Sequence, residues 1–304
     1  NFCLARGLGD VYKRQAATAV DVDRKILLTT SEPIGYRALV IATGHRARSL
    51  DELAGFDNVH TLRHFDDALV IRETLCTATR LLVIGTGFIG SEIASAAAAR
   101  GIDVTLIGTT THPLGRGIGP VAGAMLAALH DDAGVTLLSG SGLSDVTSRD
   151  NRIGSVRTSC GREFLVDAVV VGIGSSPATE WLSTSRITLD ASSRGVVCDP
   201  TMATSAPAVW AAGDVAVVSG AAGAHWTSAA AQGFIAGSNA VGGQQKYSGV
   251  PFAWSSWHGH RIQLVGTTTT DARGTISETV DDGVVLYSDG GRVVGAVGIL
   301  SLIH

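Results

Sequence analysis

The sequence lacks the features expected of a nucleic-acid-binding or membrane-spanning protein. Its 304 residues carry a formal net charge of −4 and contain no run of Lys and Arg beside aromatic residues. This argues against nucleic acid and anionic membrane surfaces as partners. The most apolar stretches are interrupted by Gly, Ser and Glu, so none could span a bilayer as a helix. No secretory leader opens the chain, and we expect a cytoplasmic protein.

Cysteine is scarce and dispersed. The four cysteines form neither a CxxC nor a CxxxxC pair: Cys3, Cys76, Cys160 and Cys198. This spacing favours reduced thiols in a cytosolic protein over a disulfide framework or a metal site. We therefore predict no metal site, and the sequence does not indicate an oligomeric state.

The two ends of the chain do not match the sequence between them. One back-translation of DVYKRQ, residues 10–15, has a reverse complement whose first codons encode LSLIH, which is the sequence of residues 300–304. That nucleotide string resembles a transposon end used in preparing sequencing libraries, although a coincidental match is the alternative. We interpret residues 1–15 and 300–304 as translated adapter sequence and exclude them from the prediction of the fold.

Between these ends, apolar strands alternate with amphipathic helices. The segments RLLVIG, FIGSEIASAAAAR, DVTLIG, GPVAGAMLAALHDDAG and VTLL follow one another as strand, helix, strand, helix and strand. This βαβαβ pattern predicts an α/β fold with a parallel sheet. Before it, VDVDRKILLTT and YRALVIATG indicate two strands joined by a turn at SEPIG, and HFDDALVIRETLCTATR indicates a helix.

The second half of the chain also divides into short elements. RIGSVRTSCGREFLVDAVVVGIG indicates a meander of strands, AVWAAGDVA an apolar strand, and HWTSAAAQGFIAGSNAV a helix of small residues. From VPFAWSSWHGHRIQLVG onward, strands dominate. GVVLYSDGGRVVGAVGI predicts a hairpin with a Gly-Gly turn.

A glycine motif opens the first helix of the βαβαβ pattern. In VIGTGFIGSE, the residues Gly85, Gly87 and Gly90 have the G-x-G-x-x-G spacing. The first glycine permits the turn, the second lets the backbone approach a pyrophosphate, and the third allows close helix–strand packing. The motif lies between a predicted strand and a predicted helix, so we predict a dinucleotide site rather than a merely structural turn.

The end of the second strand of this unit departs from the usual pattern. An Asp or Glu that binds the adenosine ribose normally stands there, and here the position is Gly108. Losing such a charged hydrogen bond costs about 1.5–3 kcal/mol. The next residues are Thr109, Thr110, Thr111 and His112, with Arg116 further on. No Arg follows immediately to accept a 2′-phosphate, so NAD is favoured over NADP.

Two further segments flank the glycine motif. YRALVIATG precedes it, and VWAAGDVA, which ends in Gly-Asp, follows it. Together they resemble flavoproteins with two dinucleotide-binding domains, in which an NAD domain is inserted into an FAD domain. A carboxylate such as Asp214 can accept hydrogen bonds from ribityl hydroxyls; the alternative is an ordinary N-cap or loop aspartate.

The order of the motifs narrows this resemblance. NVHTLRHFDDALVIRE, GTGFIGSEIA, HPLGRGIGP, VVGIGSSPATEWL, GVVCDPTMATSAPAVWAAGDVA, HWTSAAAQG and PFAWSSWHGHRIQLVG follow one another without large gaps. Across residues 16–299 the chain resembles the FAD-dependent NAD(P)H:ferredoxin reductases of the pyridine nucleotide-disulfide oxidoreductase superfamily, which serve Rieske-type oxygenases and cytochromes P450. The resemblance implies that a hydride passes from NAD(P)H to FAD. Single electrons then pass to a ferredoxin-type iron–sulfur carrier.

The resemblance also implies a division into domains. Residues 16–50 would form the first part of the FAD domain, and 51–172 the NAD(P) domain. Residues 173–246 would complete the FAD domain, and 247–299 would form a small, truncated α+β interface domain. The unit that binds the ADP moiety of FAD would lie upstream, so we expect residues 16–299 to purify without flavin and partly unfolded.

The resemblance assigns cofactor contacts but no catalytic residue, because the cofactors carry the hydride chemistry. The NAD(P) contacts would be Gly85, Gly87, Phe88, Ile89, Gly90, Glu92, Gly172 and Gly174. The FAD contacts would be Thr43, Gly44, Arg48, Gly213, Asp214, Trp226, Thr227 and Gln232. Trp254 would be the point of electron exit. Glu92 could instead be a first-turn helix residue, and Trp254 could instead serve core or interface packing.

Some residues depart from the family pattern. The family's FWSDQYG is AWSSWHG here, so Ser256 replaces an acid and Trp257 a polar residue, and Ala224 stands where Glu is common. These changes leave the acceptor open. Two alternatives are an NADH oxidase or CoA-disulfide reductase of the same superfamily, whose redox cysteine would lie upstream, and a non-catalytic NADH-sensing flavoprotein.

Overall fold

The computed structural model describes residues 15–218, 221–222, 225–269, 276–281 and 283–301; for 221, 222, 276, 277 and 281 it describes the backbone alone. The predictions for Cys3, for Ala224 and for most of the two terminal segments lie outside these residues. The chain forms two compact units. Unit 1 comprises residues 1–45 and 177–249, and unit 2 comprises residues 46–176 and 250–304.

The described elements are mostly short strands. In chain order they are β1 (Ala17–Asp21), β2 (Ile26–Thr29), β3 (Ile34–Gly35), β4 (Leu39–Ile41), β5 (His45–Ala47), β6 (Val59–Thr61), β7 (Arg80–Ile84), β8 (Asp103–Gly108), β9 (Thr136–Ser139), β10 (Leu143–Arg149), β11 (Arg152–Thr158), β12 (Glu163–Leu165), β13 (Ala168–Val171), β14 (Ser175–Pro177), β15 (Val196–Cys198), β16 (Val209–Ala211), β17 (Ala216–Val218), β18 (Ala221–Ala222), β19 (Phe252–Trp257), β20 (His260–Gly266), β21 (Ile276–Asp281), β22 (Val284–Asp289) and β23 (Arg292–Ser301). The α-helices are α1 (Phe65–Thr77), α2 (Phe88–Ala98), α3 (Pro120–Asp132) and α4 (Trp226–Ala240), and three-residue helical turns lie at Asp51–Leu53, Glu180–Leu182 and Gly213–Val215. Within the described part of the chain, no helix is long and apolar enough to cross a membrane.

Unit 2 is built around a five-stranded sheet with the order β6-β13-β7-β8-β9, and all of its neighbouring strands are parallel. Helices α1 and α2 pack on one face, and the antiparallel β10–β12 meander packs on the other. The central strands are therefore buried on both faces, as their nearly continuous apolar sequences require. The predicted βαβαβ unit is confirmed as β7-α2-β8-α3-β9. The sequence interpretation did not include β6 or β10.

Unit 2 also contains an antiparallel sheet with the order β19-β20-β23-β22-β21. Its apolar face, which includes Trp257 and Tyr287, packs against α3 through Leu126. The predicted hairpin β22–β23 is confirmed, and its turn consists of Gly290 and Gly291, both with positive φ (55° and 79°). Successive positive φ values suit a tight hairpin turn and favour glycine. Leu300 and Ser301 continue β23.

Unit 1 contains the sheets β1-β2-β3 and β15-β17-β18 and the parallel pair β16-β4, with α4 contributing to the same core. The expected long first strand is instead a hairpin, β1–β2. The carboxylate of Asp21 causes this turn by accepting hydrogen bonds from the backbone N–H groups of Asp23 and Arg24. The remaining pair of strands, β5 and β14, forms a two-stranded sheet.

Candidate functional site

The turn between β7 and α2 consists of glycines that leave no room for side chains. Gly85 has φ +111°, and a Cβ built there would lie 2.3 Å from the carbonyl oxygen of Gly172. A Cβ on Gly90 would lie 1.8 Å from the carbonyl oxygen of Gly85. The N–H of Gly85 donates to the carbonyl of Ile107 at 2.7 Å. The ends of β7, β8 and β13 thus meet tightly, as the first and third glycines of a dinucleotide motif require.

The second glycine of the motif has a different environment. Gly87 is the N-cap of α2 with φ −80°, a conformation that any residue can adopt, and within the part of the chain that the structure describes a Cβ built there meets nothing within 4 Å. Neither the backbone nor the packing explains a glycine at this position. A ligand approaching the backbone does, because the first backbone N–H groups of an α-helix point outward at its N-terminus, which is also the positive end of the helix dipole. Phe88 and Ile89 form the first turn of α2 and are partly buried. The arrangement fits a pyrophosphate.

Two of the predicted residues, Gly172 and Gly174, follow β13, and a third, Arg48, follows β5 and contacts Gly174. Gly172 donates its N–H to the carbonyl of Ile84 at 2.7 Å, and this hydrogen bond joins the end of β13 to the end of β7 beside the glycine turn. Gly174 has φ +100°, and its carbonyl accepts from the N–H of Arg48 at 3.0 Å. The Arg48 guanidinium donates to the hydroxyl of Ser176 at 2.9 Å. Structurally, Arg48 therefore belongs to unit 2.

Glu92 is held by the antiparallel sheet of unit 2. Its carboxylate accepts a hydrogen bond from the hydroxyl of Ser255, and the indole N–H of Trp257 donates to the oxygen of Ser255 at 2.7 Å. Because an indole N–H can only donate, the single hydrogen of Ser255 points to Glu92. Ser255 and Trp257 are both fully buried. The sequence interpretation assigned Glu92 by resemblance but missed Ser255, whose contact spans 163 residues.

Trp254 lies on the opposite face of β19 from Ser255 and is 39% exposed. The guanidinium carbon of Arg261, on the adjacent β20, lies 4.7 Å from the centre of its ring. The geometry is that of a cation–π contact. The sheet thus presents an aromatic ring and a positive charge together at its surface.

Two histidines beside this sheet were also missed by sequence reasoning. His130 on α3 is fully buried, stacks on Trp257 and lies within hydrogen-bond distance of His258. Burial, with a smaller contribution from the charge of His258, lowers the pKa of His130 to about 4. The cluster is therefore neutral at physiological pH, and it contributes to packing.

Unit 1 brings four of the predicted FAD contacts to one sheet edge. β4 and β16 are adjacent and parallel, with Ile41 beside Ala211, so the segments after them share an edge. Thr43 donates its hydroxyl to the carbonyl of Ala178 at 2.8 Å, and Gly44 follows with φ +65°. After β16, Gly213 with φ +77° and Asp214 form a helical turn.

The N-terminus of α4 lies beside this edge. The N–H of Gly213 donates to the side-chain oxygen of Gln232, which is 2% exposed, at 2.9 Å. His225 is the N-cap of α4; burial lowers its pKa, and the nearby negative charge of Asp214 opposes that shift. Trp226 and Thr227 form the first turn, and Trp226 is 67% exposed. A carboxylate and a helix N-terminus at the ends of parallel strands fit a flavin's ribityl chain and ring.

Comparison with known proteins identifies relatives that match most of this chain. A protein-family model described as pyridine nucleotide-disulphide oxidoreductase matches residues 5–233. Rhodocoxin reductase of Rhodococcus erythropolis is 30% identical over 275 residues, which cover 87% of this chain and 64% of that protein. The ferredoxin reductase component of chlorobenzene dioxygenase from Cupriavidus sp. (strain PS12) is 32% identical over 91% of this chain and 68% of that protein.

A solved structure gives the same result for the fold. The chain superposes on the structure described as the covalent putidaredoxin reductase–putidaredoxin complex with a TM-score of 0.86 and 27% identity, over 94% of this chain and 71% of that chain. The predicted fold class is confirmed. The chain nevertheless spans less than two thirds of the length of rhodocoxin reductase.

Proposed function

Because the chain belongs to the pyridine nucleotide-disulphide oxidoreductase family, we propose that it is part of an FAD-dependent NAD(P)H oxidoreductase that reduces a ferredoxin-type iron–sulfur carrier. Rhodocoxin reductase and the ferredoxin reductase component of chlorobenzene dioxygenase, each at least 30% identical over most of this chain, support this class. The observation that carries the proposal is the open space above Gly87, at the N-terminus of α2.

The residues of unit 2 would bind and orient the coenzyme. The N–H groups at the start of α2 would hold the pyrophosphate, with Gly85 and Gly90 fixing the turn. Glu92, one turn further along, offers a carboxylate whose direction is set by Ser255. Such a carboxylate accepts hydrogen bonds, as from a carboxamide, and does not transfer the hydride itself.

The residues of unit 1 would bind the flavin. FAD, when bound, accepts a hydride and releases electrons singly, and the protein supplies binding and electrostatics. Asp214 would accept hydrogen bonds from ribityl hydroxyls. The N-terminus of α4, with Trp226 and Thr227, would favour negative charge on the adjacent ring. No side chain need act as a general acid or base.

Trp254 and Arg261 support the choice of an acceptor protein. The exposed indole offers a contact surface for a partner, and the guanidinium beside it would attract an acidic carrier. We place Trp254 at the electron exit. We also place the protein in the cytoplasm, where the thiols of Cys76, Cys160 and Cys198, all free, would remain reduced.

Anaerobic mixing of the full-length, FAD-loaded protein with NADH tests this function. We expect the flavin absorption band to bleach, and to recover when an oxidised ferredoxin is added. Trp254→Ala should leave bleaching unchanged and slow the recovery, whereas Trp210→Phe, a partly buried position packed against the core of unit 1, serves as an aromatic control. A flavin band that NADH does not bleach would contradict the proposal; bleaching without recovery by any iron–sulfur carrier would favour an oxidase.

A further inference from the structure

The side chain of Thr86 occupies the space beside Gly108. β8 ends at Gly108, and a Cβ built there would lie 2.5 Å from Oγ1 and 2.7 Å from Cγ2 of Thr86. Non-bonded carbon atoms in proteins are normally about 3.5–4.0 Å apart. No side chain fits at position 108 while Thr86 keeps its place.

The backbone at position 108 does not itself require glycine. Gly108 lies in a strand and is absent from the residues with positive φ. An L-amino acid could therefore adopt its conformation without strain. Thr86 alone accounts for the glycine.

Thr86 is firmly held. It is 5% exposed, and its hydroxyl lies 3.2 Å from that of Thr110. Since the hydroxyl hydrogen of Thr110 is donated to the carbonyl of His112, at 2.9 Å, Thr86 is the donor to Thr110. The carbonyl of Thr86 also accepts from the N–H of Leu114 at 2.9 Å. A β-branched side chain with these partners has little freedom to move aside.

Position 108 is where dinucleotide-binding units usually place an acidic residue. That carboxylate binds the ribose 2′-hydroxyl and disfavours a 2′-phosphate, because like charges at close range repel. A 2′-phosphate carries about −1.5 to −2 charges at neutral pH. In this chain the carboxylate is missing, and the space it would need is filled.

The loop after β8 adds no negative charge. Residues 109–119, which connect β8 to α3, include Arg116 and His112 and no acidic residue. Thr109, Thr111 and Arg116 are exposed. Hydroxyl groups and a guanidinium are suitable hydrogen-bond donors for a phosphate.

We propose that Thr86 sets the coenzyme specificity of this site. By filling the space beside Gly108, it excludes the side-chain carboxylate that would bind the ribose 2′-hydroxyl and repel a 2′-phosphate, so the site binds NADPH as well as NADH. This inference rests on the proposed function, since it concerns the same dinucleotide site.

The test is a titration of the full chain with NADH and with NADPH, followed by nicotinamide fluorescence. Wild type should bind both with Kd values within about tenfold of each other, and Thr86→Ala, which adds no charge, should keep that ratio. In the double variant Thr86→Ala/Gly108→Asp, the atom nearest to the new Cβ of residue 108 is the Cβ of residue 86, at 3.1 Å, and a small shift of either side chain relieves this close contact. This double variant should weaken NADPH relative to NADH by about tenfold or more.

Gly108→Asp alone separates the roles of the two positions. With Thr86 present, we expect it to bind both coenzymes more weakly or to melt at a lower temperature, because the new side chain collides with Thr86. A well-folded, NADH-selective Gly108→Asp protein would overturn the inference, and so would a wild-type preference for NADH above about a hundredfold. Wild type that binds neither coenzyme would instead reject the proposed function, and this inference with it.

Discussion

The Nε2 atom of His258 lies 3.0 Å from the Nδ1 atom of His130, so the two imidazoles share one hydrogen bond. In such a bond one nitrogen donates and the other accepts, and two cationic rings could not form it. His130 is fully buried, and its pKa is lowered to about 4, first by burial and then by the charge of His258. Burial also lowers the pKa of His258.

We predict that the free energy of unfolding of unit 2 falls as the pH decreases from about 6.5 to about 4. The pKa of His130 is lower in the folded state than in the unfolded chain, so the unfolded chain binds more protons within this interval. The contribution is fully present above the unfolded pKa, and protonation removes it below. With about 1.4 kcal/mol for each pKa unit, the loss is on the order of 3 kcal/mol.

Urea unfolding at a series of pH values measures this effect. His130→Gln should flatten the dependence. His64→Asn, at an exposed helix N-cap where Asn also caps, should keep it. An unchanged slope in His130→Gln would show that other groups cause the acid sensitivity.

Ser255 and its neighbour Ser256 offer a matched pair of substitutions. Ser255 is fully buried between the Trp257 N–H and the Glu92 carboxylate, whereas Ser256 is exposed on the other face of β19. Ser255→Ala should lower the free energy of unfolding by about 1–3 kcal/mol, because it leaves a buried indole N–H without an acceptor.

Ser256→Ala should change stability by less than about 0.5 kcal/mol. The measurement is denaturant unfolding of both variants. Ser255→Ala should also weaken NADH binding if the carboxylate of Glu92 contacts the coenzyme. Equal stability of the two variants would show that the contact to Glu92 contributes nothing to the docking of β19.

The sequence predicted the elements whose pattern is local. α2 follows from the glycine motif and a run of small residues, and the strands around it from continuous apolar segments. The β22–β23 turn follows from two adjacent glycines. Each of these signals lies within about a dozen neighbouring residues.

The contacts that the sequence could not indicate join distant segments. The Ser255–Glu92 hydrogen bond spans 163 residues, and Thr86 reaches Gly108 only because β7 and β8 are adjacent in the sheet. The sequence shows that position 108 lacks an acidic residue, but the physical reason for this absence is that any side chain there would collide with Thr86. That collision depends on the packing and cannot be seen in the sequence. The β1–β2 hairpin was missed because an Asp-induced turn interrupts an otherwise strand-like segment.

Asp167 joins the starts of two central strands. Its carboxylate accepts from the Arg80 guanidinium at 2.7 Å and from the N–H and hydroxyl of Thr79. These hydrogen bonds, that of Arg80 foremost, hold the pKa of Asp167 well below its ordinary range. The stability they confer is therefore present at neutral pH and is lost only as the pH falls through the lowered pKa.

Asp167→Asn should destabilise the fold by on the order of 1–2 kcal/mol, a value reduced because the side chain is 30% exposed. Asp150→Asn is the control, since Asp150 pairs with Arg149 where both side chains are almost fully exposed. That substitution should have no measurable effect on the melting temperature. A similar loss in both variants would argue against a special role for Asp167.

Alanine substitutions at three glycines distinguish effects on coenzyme binding from effects on folding; the positions are Gly87, Gly90 and Gly154. A Cβ at Gly87 meets no atom of the described residues within 4 Å, so Gly87→Ala should fold with wild-type stability, yet it should weaken NADH binding about tenfold or more by obstructing the pyrophosphate. Gly90→Ala should unfold more easily, because its Cβ would lie 1.8 Å from the carbonyl oxygen of Gly85. Gly154→Ala, whose Cβ meets only the carbonyl oxygen of Thr147, at 3.9 Å, should change neither property. Thermal unfolding and NADH titration of the three variants decide the matter: a Gly87→Ala protein that binds NADH like wild type would place the coenzyme away from the N-terminus of α2.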